Sequence, residues 1–138
     1  MSELFRFGIS LPKDLLNKFD KLISEKNYTN RSEAFRDLIR QELVKKEWEE
    51  GEEVAGTITI IYDHHQRELA TKLMDIQHDH GKNIISTQHI HLDHHNCMEI
   101  IAVRGSAKET QKLADMLKAV KGVKHSTLGM SSTGKHIG

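Results

Sequence analysis

Ten histidines and one cysteine are the residues of this chain with the most specific chemistry. Eight of the histidines fall between His64 and His95, and Cys97 follows closely. Neutral imidazoles with a thiolate suit borderline divalent ions such as Ni, Cu, Co or Zn, and composition does not choose among them. One cysteine excludes an internal disulfide framework and leaves a free thiol or a metal thiolate. A single strand histidine is most often an ordinary side chain, and a single cysteine a small buried hydrophobe. His89 and His91 at alternate positions, followed by Cys97 and Glu99, form a stronger pattern.

Positioning them takes a hairpin. Ile84–Leu92 and Cys97–Val103 alternate as strands, joined by the turn Asp93, His94, His95, Asn96. Pairing His91 with Cys97 and His89 with Glu99 brings two imidazoles and a thiol to one face, with a carboxylate placed to support a ligand. Met98, Ile100 and Ala102 are expected to meet the helices, which puts the ligand set on the helix-free face. His78, on a helix spanning Glu68–His80, is then expected to reach that face from another subunit. A metal site in a subunit interface is the physical requirement for a switch.

The flanking segments give the hairpin its setting. Val54–Tyr62 and Val123–Ser131 read as strands, and Lys108–Val120 reads as an amphipathic helix with Leu113, Ala114, Met116 and Leu117 apolar. The order βαββαβ predicts an α+β, ferredoxin-like domain over residues 54–138. His64 with His65, His80, and His94 with His95 are clustered and expected to be solvated loop or helix-end side chains; the alternative is weak binding of surplus metal. His125 and His136 carry no functional reading.

The front of the chain is different in kind. Lys and Arg balance Asp and Glu at twenty each, but residues 1–46 carry ten basic against seven acidic side chains and the remainder ten against thirteen. A basic front and a mildly acidic rear point to two modules. Phe5, Phe7, Ile9 and Leu11 alternate with Arg6, Gly8 and Ser10 as a half-buried strand. Pro12 opens a helix with Leu15, Leu16, Phe19, Leu22 and Ile23 on one face, and Asn27 and Tyr28 end it. Asn30 with Glu33 is a capping box ahead of a second helix carrying Ala34, Phe35, Leu38, Ile39 and Leu43. This βαα unit over residues 1–48 is short for independent folding and leaves a strand edge without a partner. Pairing with a second chain solves both problems, and the resulting two-stranded ribbon fits the DNA major groove. Arg6, Gly8 and Ser10 would face base edges, while the start of the second helix, with Arg31 and Ser32, offers backbone amides to a phosphate. The acidic, glycine-broken stretch at 49–53 reads as a linker.

Phe5–Leu11 with Tyr28, Asn30, Arg31, Ser32, Glu33 and Ala34 resembles the ribbon–helix–helix repressors. The whole chain, and in detail His78, His89, His91 and Cys97 with their spacing, is similar to the nickel-responsive regulator family (NikR), which joins that module to an ACT-type domain. The resemblance implies a square-planar Ni(II) site, one per chain, made by His89, His91 and Cys97 of one chain and His78 of a neighbour. It implies that Tyr62, Gln77 and Glu99 support the ligands by hydrogen bonding, and that Glu33 and Asp37 help hold a second cation between the domains. Arg6, Gly8 and Ser10 match base-reading positions, although the family commonly has a β-branched or hydroxyl residue where Gly8 stands. Arg67 matches a position that touches DNA backbone.

The function expected from this resemblance is nickel-dependent repression, of nickel uptake genes, by a homotetramer built as a dimer of dimers on an operator in double-stranded DNA. No apolar run approaches the roughly 18 residues of a membrane span, and Met1–Arg6 lacks the layout of a signal peptide, so the chain is expected in the cytoplasm. Two other classes compete: an ACT-type regulator responding to another metal or a small molecule, and a metalloenzyme with an open metal position. An enzyme is not expected, because Glu99 is the sole carboxylate near the ligands and no acid/base pair accompanies it.

Overall fold

The computed structural model describes residues 3–138; Met1 and Ser2, at the head of the expected front domain, lie outside the described residues. The chain forms two compact units, one up to Leu43 and one spanning Val44–Ile137.

The first unit contains helix α1, Lys13–Glu25, and most of helix α2, Arg31–Glu49. Pro12 precedes α1, and its carbonyl accepts from the Leu16 amide at 3.0 Å. Asn27 ends the helix in the left-handed region, φ 65°, where asparagine is tolerated better than most residues. The Tyr28 amide then folds back onto the Ile23 carbonyl at 2.9 Å. At the start of α2 the Asn30 side chain accepts from the Glu33 amide at 2.9 Å, as the capping pattern predicts. The Glu33 carboxylate does not return the bond to Asn30; it accepts from the Thr29 hydroxyl at 3.1 Å. Phe19 and Phe35 pack with ring centroids 5.1 Å apart, and Ile23 and Ala34 are buried.

Residues 3–12 carry no regular secondary structure, so the expected strand over Phe5–Leu11 is not a strand in the single chain. A strand is defined by ladder hydrogen bonds to a neighbour, and within one chain this segment has none to pair with. Phe5 and Phe7 are each 81 % exposed.

The second unit contains strand β1, Glu53–Asp63, helix α3, Arg67–Asp79, strand β2, Ile84–His91, strand β3, Asn96–Ser106, helix α4, Ala107–Lys118, and strand β4, His125–Met130. The sheet runs β2-β3-β1-β4 with every neighbour antiparallel, which is the ferredoxin-like arrangement expected. Residues 49–53 hold the last residue of α2, a turn through Gly51 and the first residue of β1. Gly51 has φ +73°, a conformation strained for other residues. Trp48, at the end of α2, is buried against Val54 and Ala107, and its indole donates to the Ser131 carbonyl at 2.8 Å. A Cβ on Gly56 would lie 2.6 Å from the Gly129 carbonyl and 3.4 Å from the Trp48 ring, so close packing requires glycine there.

The core lies between the sheet and helices α3 and α4. Ile58, Ile60 and Tyr62 of β1 join Cys97, Ile101 and Val103 of β3 with Leu69, Leu73, Leu113 and Leu117 of the helices. This reverses the expected faces of β3: Cys97, Glu99 and Ile101 point to the helices, and Met98, Ile100 and Ala102 line the open side. The central strand decides the matter. Ile58 pairs with Ile101, Ile60 with Glu99 and Tyr62 with Cys97, whereas Thr57 and Thr59 pair with Ala102 and Ile100. Residues paired across a ladder share a face, and the β1 threonines mark the face left open. Apolar residues occupy both faces of β3, so its own alternation does not discriminate.

Candidate metal centre

Glu99 is the organising residue of the ligand hairpin. It is 2 % exposed, and it lies on the helix side of the sheet close to the edge strand β2. The Tyr62 hydroxyl donates to one of its oxygens at 3.1 Å and the Gln77 amide, from α3, to the other at 3.0 Å. His89 Nε2 lies 3.4 Å from that second oxygen, and its side chain remains 59 % exposed. A buried carboxylate needs such donors to offset its lost hydration. Burial, then the neighbouring Glu99 charge, pushes the Tyr62 phenol well above its ordinary range and keeps it a donor.

The hairpin register pairs His91 with Cys97 and His89 with Glu99, as the sequence predicts. A bulge between Ile84 and Ser86 sets it: one extra residue on β2 carries Thr87, His89 and His91 to the helix side. Cys97 is a buried free thiol. His78 is exposed on α3. Consecutive helical residues point about 100° apart, so with Gln77 engaged on Glu99, His78 is turned away from that carboxylate. By residue type two imidazoles, a thiol and a supported carboxylate suit a borderline divalent ion, but within one chain the donor atoms of His89, His91 and Cys97 do not all lie within 4.8 Å of one another.

A second group of donors lies next to the first. Oδ1 of Asp63, at the end of β1, accepts from the His65 amide at 2.9 Å and is 3.2 Å from His65 Nδ1. Asp93 does the same for the amides of His95 and Asn96, at 2.9 and 2.8 Å. Donor atoms of Asp63, His65 and His95 all lie within 4.8 Å of one another, and among the described residues this is the one such group of three. The His64 ring sits 4.1 Å from His65 and 4.7 Å from His91. Desolvation first, then the neighbouring His65 and His91, lowers the His64 pKa. The clustering expected from sequence is found, and His65, His94 and His95 remain exposed. The signal available in the sequence is the tripeptide Asp-His-His, at 63–65 and again at 93–95. His80 is engaged elsewhere, its Nδ1 2.9 Å from the Ile76 carbonyl.

The positions expected to meet DNA are distributed over both units. Arg6, Gly8 and Ser10 lie in the exposed segment before α1, and Arg67 is the exposed first residue of α3. Ser32 is in the first turn of α2, whereas Arg31 makes a two-pronged bridge to Asp20, at 2.9 and 2.8 Å. That bridge holds the Asp20 carboxyl below its ordinary range and raises the guanidinium. Asp37 accepts from the Tyr28 hydroxyl at 2.7 Å and pairs with Arg40 at 3.6 Å. The Glu33 carboxylate accepts from the Thr29 hydroxyl at 3.1 Å. Among the described residues no helix is long and apolar enough to cross a membrane.

Comparison with known proteins agrees with this geometry. Residues 55–131 match the family model described as the NikR C-terminal nickel-binding domain, and residues 6–46 match the copG-family ribbon–helix–helix protein. A provisionally named nickel-responsive regulator of Syntrophus aciditrophicus is 61 % identical over 98 % of both chains. One from Geobacter sulfurreducens is 54 % identical over 99 % of both, and one from Pyrococcus furiosus is 53 % identical over 97 % of this chain and 98 % of its own. The fold also matches an uncharacterized protein from Thermotoga maritima, with TM-score 0.51, 12 % identity, and 56 % of this chain and 95 % of that one covered. With both modules matched in order and relatives aligned nearly end to end, the chain belongs to the nickel-responsive regulator family, a ribbon–helix–helix module followed by a NikR C-terminal domain.

Proposed function

We propose that this protein is a cytoplasmic, nickel-responsive, DNA-binding transcriptional repressor, acting on nickel uptake genes. The observation that carries the reading is the hairpin, which pairs His91 with Cys97 and His89 with a Glu99 already held by Tyr62 and Gln77. His89, His91 and Cys97 bind one Ni(II) per chain, and His78 of a neighbouring chain completes the set. When bound, the ion supplies a positive charge that draws donors from two chains together. Glu99 orients His89 rather than acting as a base, because its oxygens are already committed to Tyr62, Gln77 and His89. This favours a regulator over a metalloenzyme. Glu33 and Asp37 take a second cation.

The apolar side chains left exposed support an assembly of four chains as a dimer of dimers. In the first unit Leu4, Phe5, Phe7, Ile9 and Leu11 are uncovered, and a second copy of the segment would give each strand its ladder partner. Arg6, Gly8 and Ser10 then face the major groove, Ser32 and the head of α2 meet phosphate, and Arg67 touches the backbone. In the second unit the open sheet face carries Ile61, Ile90, Met98 and Ile100, all partly covered.

A random-sequence duplex pool selected with apoprotein and with nickel-loaded protein tests the reading. Near-ultraviolet absorbance should show a thiolate-to-nickel band saturating at one ion per chain, absent in Cys97→Ala. An enriched sequence should emerge only with nickel, and should be lost in Cys97→Ala and Arg6→Ala. Equal enrichment without metal, or no thiolate band, would overturn it.

A further inference from the structure

We propose that Gly8 leaves one base pair in each half of the operator unread, so that the sequence preference of this protein is split into an Arg6 part and a Ser10 part with a gap between them. The inference rests on the DNA-binding reading above and concerns which bases that reading can select.

Glycine at position 8 answers no demand of the chain's own fold. A Cβ there would meet no atom within 4 Å, and the residue is outside the set of glycines with positive φ. Elsewhere the reasons for glycine are visible. A Cβ on Gly56 would lie 2.6 Å from the Gly129 carbonyl, and one on Gly129 would lie 2.8 Å from Oγ1 of Thr57. Glycine also weakens a strand, because it loses more backbone freedom on ordering and has no side chain to pack. Position 8 is in the middle of the segment through which two chains pair, where a β-branched residue would suit the ladder better.

The alternation of the segment decides which way the missing side chain would point. Phe5, Phe7, Ile9 and Leu11 make one face, and Arg6, Gly8 and Ser10 the other. With the apolar face closed against the helices of the pair, position 8 faces the groove between Arg6 and Ser10. A base pair is distinguished in the major groove by hydrogen bonds to its edge or by contact with the thymine methyl. The Gly8 Cα offers neither, and its amide and carbonyl lie in the plane of the ribbon rather than toward the base edges. Arg6 has a guanidinium that can grip a guanine at two points, and Ser10 a hydroxyl that donates or accepts. At about 3.3 Å per residue the two stand roughly 13 Å apart along the strand, so neither stands over the base pair that faces Gly8.

Binding of nickel-loaded protein to every single-base-pair variant of the duplex enriched from the random pool tests this. Arg6→Lys, which loses the two-point grip, and Ser10→Ala should each flatten the preference at their own base pairs and so mark the ends of the read stretch. Between those marks, wild type should bind all four base pairs within about twofold at one position in each half-site, against roughly fivefold or more at read positions. Gly8→Thr should acquire a preference of that size at this position, and Gly8→Ser a smaller one, with the thiolate-to-nickel band retained and no loss of melting temperature. A wild type that discriminates at every position between the marks would overturn the proposal. So would a folded Gly8→Thr with the wild-type profile. A pool from which nothing is enriched would remove the DNA-binding reading and this inference together, whereas an enriched duplex read without a gap removes the inference alone.

Discussion

At the scale of single residues, electrostatics is concentrated in short, local devices. Asp93 accepts from the backbone amides of His95 and Asn96 and, on both of its oxygens, from the Asn96 side-chain nitrogen, at 2.8 to 3.1 Å. The Asn96 side-chain amide above all, then the two backbone amides, pull its carboxyl from 3.8 down to about 2. A carboxyl whose pKa is lowered on folding adds stability that is complete above its ordinary value and disappears as pH falls through the folded one. Wild type should therefore melt above Asp93→Ala at neutral pH, and the gap should close between about pH 4 and about pH 2, as read by thermal melts across that range. A gap that persists unchanged at pH 2 would mean that Asp93 acts through something other than its charge. Residue types alone made the metal chemistry legible: His89, His91, Cys97 and Glu99 could be singled out without coordinates. The Asp63, His65 and His95 group could not, because its members become neighbours only through the β1–β3 pairing.

In the second unit the end of α2 is joined to the sheet and α4 by one large side chain. Trp48 fills the space between the end of α2, Val54 and Ala107, and spends its indole hydrogen on Ser131. Replacing a buried tryptophan by alanine costs about 3 kcal/mol or more, and removing the hydrogen bond alone about 1 kcal/mol. Urea unfolding of Trp48→Ala and Trp48→Phe should reproduce that order, with the phenylalanine variant losing the smaller amount; equal losses would show that the indole hydrogen bond, which both variants lack, and not the packing is the whole effect. Helix and strand periodicity located each of these elements from sequence. The face of β3 was not legible, since apolar residues stand on both sides of it and only the threonines of β1, once paired, tell the sides apart. The bulge after Ile84 was likewise hidden, because nothing in Ile84, Ile85, Ser86 marks which residue the ladder skips.

At the scale of the whole molecule, the first unit leaves more apolar surface uncovered than a soluble monomer ordinarily tolerates. Phe5 and Phe7 are 81 % exposed and Ile9 50 %. If that segment is the seam between two chains, Phe7→Asp/Ile9→Asp should lower the mass found by sedimentation and abolish DNA binding. The thiolate-to-nickel band, which depends on the second unit, should survive. An unchanged mass would place the association elsewhere.

The sequence by itself determined the two front helices, the βαββαβ element order, the His89–Cys97 hairpin register, and the ligand types, because each follows from local periodicity and residue chemistry; the expected front strand is not formed within one chain. Tertiary structure decided which face of the sheet carries Cys97 and Glu99, that Tyr62 and Gln77 meet on one buried carboxylate, and that two distant Asp-His-His tripeptides adjoin. Those outcomes depend on how strands far apart in the chain pair and where a bulge falls, and one residue of register reverses every side chain on a strand.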